Sequence, residues 1–261
     1  MSAPNKGGGL TYDRALLLHG SKRNEILTLR EVQQYGSDSF DDPDYLQLYG
    51  MKPAEWYTRG IRLLGRTTVE CTRDSLAYRI GRDVASVTAS LPAHTRFTVI
   101  DPFAGSCNTL FWILRHIPHS VGIAFEADPQ VHGLTRRNVK KLNLAILLMH
   151  GDYELLMDSQ AVPDDHAIIV FVAPPWGTAL DEVIGLDLRR TMPPIADIIG
   201  RIGREYFGHK ILFATQIYEK LNPHSLVELQ TTLDWSETRI YDLNVAGRDH
   251  GILLGTRGWK P

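Results

Sequence analysis

From residue 96 onward, apolar runs of strand length alternate with segments of helical spacing, and this alternation limits the fold more than any other feature. "RFTVID" (96–101) is rich in β-branched and aromatic residues and reads as a strand. "NTLFWILRHI" follows at helical spacing, and "HSVGIAFE" is a second strand. "DPQVHGLTRRNVKKL" opens with Asp-Pro and closes in Lys-Lys-Leu, the signals of a helix start and a helix end. "AILLMHGD", "AIIVFVAPP" and "KILFATQ" add three more strands, the middle one apolar enough to be buried on both faces. Such a series predicts an α/β fold with a mostly parallel sheet covered on both sides. The tail departs from it: "SETRIYDLN" and "GILLGTR" flank the Gly/Asp loop "VAGRDH", which predicts a C-terminal hairpin and an antiparallel last strand.

The segment before residue 93 has no strong strand and two amphipathic stretches, "KPAEWYTRGIRLLG" and "TRDSLAYRIGRDVASVTASL". In the first, Trp56, Ile61 and Leu64 fall on one helical stripe. We therefore expect a disordered tail over 1–9, a helical extension over 10–92 acting as a lid, and a ligand-binding α/β domain over 93–261. The tail "MSAPNKGGG" lacks the apolar core of a signal peptide, and no apolar run approaches a membrane span. A net charge of −2 lacks the basic surplus of a protein that lives on phosphates, so nucleic acid is not an expected partner. Cys71 and Cys107 have neither disulfide-framework nor zinc-site spacing, and the ten histidines show no HxxxH pattern. These features predict a cytoplasmic protein without a metal site.

In open α/β sheets, ligands sit outside the carboxyl ends of the strands. The first strand ends in "DPFAGSCNT" (101–109), where the small residues Ala104, Gly105 and Ser106 let the backbone approach a ligand. The second ends at Glu126, 25 residues after Asp101, and an acidic residue there suits a ribose diol; Asp128 is the alternative. The third ends at Asp152 and Tyr153, the fourth in "APPW" (173–176). The spacing of the first turn is not GxGxxG, which disfavours a dinucleotide enzyme.

This ordered set resembles the class I S-adenosylmethionine (SAM) methyltransferases, a Rossmann-like fold. "DPFAGS" resembles enzymes that methylate amino nitrogens of nucleobases. "EWYTRGIRLLGR", "GDYELL", "FVAPPWG" and "LDLRRTMPP" resemble segments of the trimethylguanosine synthases, the RNA cap guanine-N2 methyltransferases, over residues 55–220. The resemblance implies SAM as cofactor. It implies that Asp101, Phe103, Ala104 and Gly105 cradle the methionine part and that Glu126 holds the ribose. Asp152 would accept from the adenine amino group with Tyr153 beside the ring, and Ala173, Pro174, Pro175 and Trp176 would form the platform for the methyl-accepting group. Asn138 matches an Asn often found in the helix after the second strand and receives no role.

Ala173 departs from the family, where Asp, Asn or Ser stands before Pro-Pro. A nucleobase amino nitrogen shares its lone pair with the ring, and a side-chain oxygen that accepts its N–H helps localise that pair. Losing one preorganised polar group costs about 10²–10³ in rate. An aliphatic amine has no such need. We therefore expect displacement at the sulfonium by an amine nitrogen, first as N-methylation of a small molecule. The alternatives are cyclisation of SAM itself to azetidine-2-carboxylate and methylthioadenosine, an RNA guanine methyltransferase, and a SAM-binding protein without catalysis.

Overall fold

The strands that carry the sheet are β1 (Arg96–Asp101), β2 (Ser120–Glu126), β3 (Ile146–His150), β4 (His166–Val172), β5 (Ile211–Tyr218), β6 (Trp235–Tyr241) and β7 (His250–Arg257). A computed structural model of the chain describes residues 10–181, 183–243 and 250–261. Within them these strands form one sheet in the order β3-β2-β1-β4-β5-β7-β6. The pairs β3–β2, β2–β1, β1–β4 and β4–β5 are parallel. β7 runs antiparallel between β5 and β6. The expected antiparallel last strand is therefore present. Residues 244–249 of the expected hairpin loop and the expected tail over 1–9 lie outside the described residues.

Alternation along each strand divides the apolar side chains between two layers. Val99, Ile169, Phe171, Leu212 and Ala214 pack under α5 (Asp74–Thr88), α6 (Asn108–His116) and α7 (Pro129–Lys141). Ile100, Val170 and Phe213 face the opposite layer, built on α9 (Ile195–Glu205) and α10 (Pro223–Gln230). α7 starts where Asp-Pro predicts: Asp128 caps its first turn and Pro129 follows. A third core joins α1 (Arg14–Leu18), α2 (Leu29–Phe40) and α3 (Pro53–Thr58) to Phe111 of α6.

"KPAEWYTRGIRLLG" does not form one amphipathic helix. α3 ends at Thr58, and α4 (Gly65–Glu70) begins only at Gly65. Gly60 has φ +79°; its N–H donates to the Tyr57 carbonyl, and the Ile61 N–H donates to that of Trp56. This double closure, a Schellman motif, stops the helix. Trp56, Ile61 and Leu64 are all buried nonetheless, because the turn that breaks the helix returns the chain to the same core. Among the described residues no helix is long and apolar enough to cross a membrane.

Candidate active site

The carboxyl ends of β1 to β5 meet at one rim. At the end of β1, a side-chain oxygen of Asp101 accepts the Phe103 N–H at 3.0 Å, closing an Asx turn. The Ala104 N–H donates to the Phe125 carbonyl at 2.9 Å and ties this turn to β2. Gly105 has φ +48°, and a Cβ there would meet only the Phe103 carbonyl oxygen, at 3.9 Å. The glycine therefore answers to backbone conformation, and the space above it is open. Asp101 is buried at 2% exposure. Burial and the nearby Glu126 push its carboxyl up to about 7, against the opposing Phe103 hydrogen bond.

Glu126, at the end of β2, links three segments. One oxygen accepts the Gly105 N–H and the other the Asp128 N–H, each at 2.9 Å. Burial raises its carboxyl above the usual range despite these bonds. Each carboxylate oxygen has room for a second bond. Asp128 stands differently. One of its oxygens caps α7 through Gln130 and Val131 and also meets the Arg66 guanidinium at 2.7 Å. Burial alone would raise the Asp128 carboxyl, but Arg66 and the cap bonds outweigh it and hold it low.

At the end of β3, Asp152 is exposed and caps the short α8 (Tyr153–Leu156) through the Glu154 N–H at 2.9 Å. Tyr153 is buried, its ring edge-on to Phe103 with centroids 5.4 Å apart. It thus packs under the first turn.

β4 ends at Val172, and Pro174 and Pro175 cannot continue the ladder. The Pro-Pro step carries Trp176 to the rim half-buried, where its indole stacks on His250 with centroids 5.5 Å apart and planes at 29°. Tyr218, at the end of β5, completes the cluster edge-on at 6.3 Å. No histidine spacing in the sequence marks His250 as a member of this cluster. Because β7 runs against β5, its first residue lies opposite Tyr218 at the ligand rim.

The N-terminal helices are tied to these strand ends by polar contacts with no visible spacing in the sequence. The Tyr49 hydroxyl donates to the Ser106 carbonyl at 2.5 Å, and its N–H to the Asn108 side chain at 2.8 Å. Asn108 in turn donates to the Thr72 carbonyl at 2.8 Å and to Asp74 at 3.0 Å. The Thr72 hydroxyl donates to the Gln216 side-chain oxygen at 2.9 Å. Asn138, at 1% exposure, accepts the Arg62 N–H at 3.1 Å and donates to its carbonyl at 2.9 Å.

No family model matches the chain, and no curated protein matches it. Among solved structures it is similar to a METTL16 MTase domain, at 11% identity over 92% of this chain and 91% of that one, with a TM-score of 0.52. A second crystal form of that domain matches at 13% identity over 69% and 66%, with a TM-score of 0.50. A human methyltransferase 10 domain containing protein matches at 14% identity over 71% and 82%, with a TM-score of 0.49. The fold is the Rossmann-like one of class I methyltransferases; at this identity the likeness carries the fold alone.

Proposed function

We propose that the chain binds SAM across the rim of β1, β2 and β3 and transfers its methyl group to an amine nitrogen of a small molecule seated at Trp176. The observation that carries this reading is electrostatic. Two carboxyls with raised pKa, Asp101 and Glu126, stand at neighbouring strand ends beside an open glycine turn. Their largest perturbation is burial, and for Asp101 Glu126 adds to it. Such a site favours a cationic ligand. SAM fits, with an ammonium for Asp101 and ribose hydroxyls for the second lone pairs of Glu126. Asp152 keeps the adenine role and Tyr153 supports the turn through Phe103.

When bound, SAM supplies a methyl carbon made electrophilic by its sulfonium. Trp176, steadied by His250 and Tyr218, offers a π face to a cation or to a flat substrate. The contacts of Tyr49, Thr72 and Arg66 with the strand ends make residues 10–92 a collar that limits water and favours a small substrate. Rate enhancement then comes from positioning and desolvation. Both cysteines are free, in keeping with a cytoplasmic location.

Incubation of the protein with SAM alone, followed by identification of every product, tests the reaction. Methyl transfer leaves S-adenosylhomocysteine and needs a second substrate. Rapid enzyme-dependent methylthioadenosine formation without one would replace this reading by cyclisation. A nucleic-acid substrate draws on one observation. Arg136, Arg137, Lys140 and Lys141 are exposed on α7 and form no ion pair among the described residues, so the balanced net charge does not describe this face. Tight RNA binding that persists at physiological salt would favour that substrate.

A further inference from the structure

We propose that Gln216 supplies the hydrogen-bond acceptor for the substrate's amino group that Ala173 lacks, and that the substrate is a small molecule with a conjugated primary amino group. The proposal rests on the SAM-dependent N-methylation reading above. The parallel register of β4 and β5 pairs Val172 with Thr215, and one further step brings Ala173 level with Gln216. Ala173 packs on the core that contains Leu212 and Ala214. Strand alternation places Gln216 on that same face, next after Ala214. Across the other edge Gln216 pairs with Ile252, also of that core. A carboxamide therefore stands in the neighbouring strand where the family's Asp, Asn or Ser would reach.

Its surroundings suit that role. Gln216 follows five buried residues, Ile211 to Thr215, and is itself half-buried, a costly place for an amide without partners. The Thr72 hydroxyl engages its oxygen at 2.9 Å, and a carbonyl oxygen accepts two hydrogen bonds. Thr72 is fixed in turn by Asn108, which also holds Tyr49. The carboxamide is thus pinned by the extension, with one lone pair of its oxygen taken by Thr72 and the other without a partner among the described residues. Held there, a substrate N–H leaves its nitrogen lone pair free to face the methyl group. That pair forms the N–C bond while the C–S pair stays on sulfur, and the acidic methylammonium so formed gives its proton to water. Gln216 takes no proton. Conjugated amines are the class that gains most, because their lone pair needs localising.

Two nucleoside probes separate this contact from cofactor binding. S-adenosylhomocysteine carries nothing in place of the transferred methyl. Sinefungin carries an amino group there, on carbon in place of sulfur, and so presents N–H donors toward Gln216. Affinities of both are measured by calorimetry for the full chain and for Gln216→Leu, Gln216→Glu and Thr72→Val. We expect Gln216→Leu to bind S-adenosylhomocysteine as the parent does and to lose about ten-fold of its relative affinity for sinefungin. Gln216→Glu raises the sinefungin preference, and Thr72→Val lowers it by a smaller factor. If Gln216→Leu does not fold, the other two variants decide. An unchanged sinefungin preference in the folded variants overturns the assignment of Gln216 and leaves cofactor binding standing. Failure of the parent protein to bind either nucleoside overturns the N-methylation reading itself.

Discussion

The raised carboxyl of Asp101 makes cofactor affinity depend on pH with a defined sign. Burial, opposed by the Phe103 hydrogen bond and helped a little by Glu126, pushes this carboxyl up to about 7. Pairing with the cofactor ammonium requires the ionised form. Protonation therefore competes with binding below pH 7. The ionised fraction falls from roughly nine-tenths at pH 8 to roughly one-tenth at pH 6, so the Kd for S-adenosylhomocysteine rises about ten-fold over that interval. At pH 7, binding releases about half a proton, which calorimetry in buffers of different ionisation enthalpy reads directly. Asp101→Asn binds more weakly at pH 8 and removes this part of the slope. Stability carries the opposite sign. A carboxyl whose folded pKa is raised stabilises the protein fully below its unfolded pKa and loses that contribution as pH rises through 7. Relative to Asp101→Asn, the ligand-free protein should lose on the order of 1 kcal/mol per pH unit across that window. A Kd that does not change between pH 6 and pH 8, or that tightens in acid, would refute the pairing of Asp101 with the ammonium.

Glu126→Ala should weaken S-adenosylhomocysteine binding by about 1.5–3 kcal/mol, the range for a hydrogen bond to a charged group. Asp128→Ala, by contrast, should lower stability by about 1 kcal/mol through loss of the α7 cap and leave that affinity nearly intact; the reverse pattern would move the ribose role to Asp128. Asn138→Ala removes both hydrogen bonds to the Arg62 backbone, and denaturant unfolding should report a loss of about 2–3 kcal/mol; a change below 0.5 kcal/mol, on the order of a neutral surface substitution, would mean the staple is dispensable. Amide hydrogen exchange across residues 10–65 should slow when S-adenosylhomocysteine binds, and equal exchange in both states would argue against a lid.

The sheet was legible because its evidence is local. "RFTVID" matches β1 residue for residue, and "DPQVHGLTRRNVKKL" contains α7 with its cap. The strand-end rule then collected Asp101, Glu126, Asp152 and Ala173 at one rim, since parallel strands bring their carboxyl ends together. What stayed hidden depends on chain reversal or long range. His250 reaches the rim only because β7 runs against its neighbour, a reversal that no spacing of histidines in the sequence marks. Thr72 and Gln216 meet across 144 residues, and neither belongs to a pattern of spacing. Arg66 lies just past the apolar stripe of 52–65, and its ion pair with Asp128 spans 62 residues with no pattern of spacing to mark it. The break in the 52–65 segment was visible as Gly60, but periodicity alone does not say whether a glycine ends a helix or sits within it.

Asn138 recognises Arg62 by its main chain only, using both halves of the carboxamide as a strand edge would. Such a joint is blind to the side chain at position 62. Any residue that keeps its backbone N–H preserves it, and proline alone is barred by chemistry. The attachment of the extension to α7 thus tolerates sequence drift on one side and almost none on the other. A library that randomises both positions should recover many residues at 62 and little besides asparagine at 138.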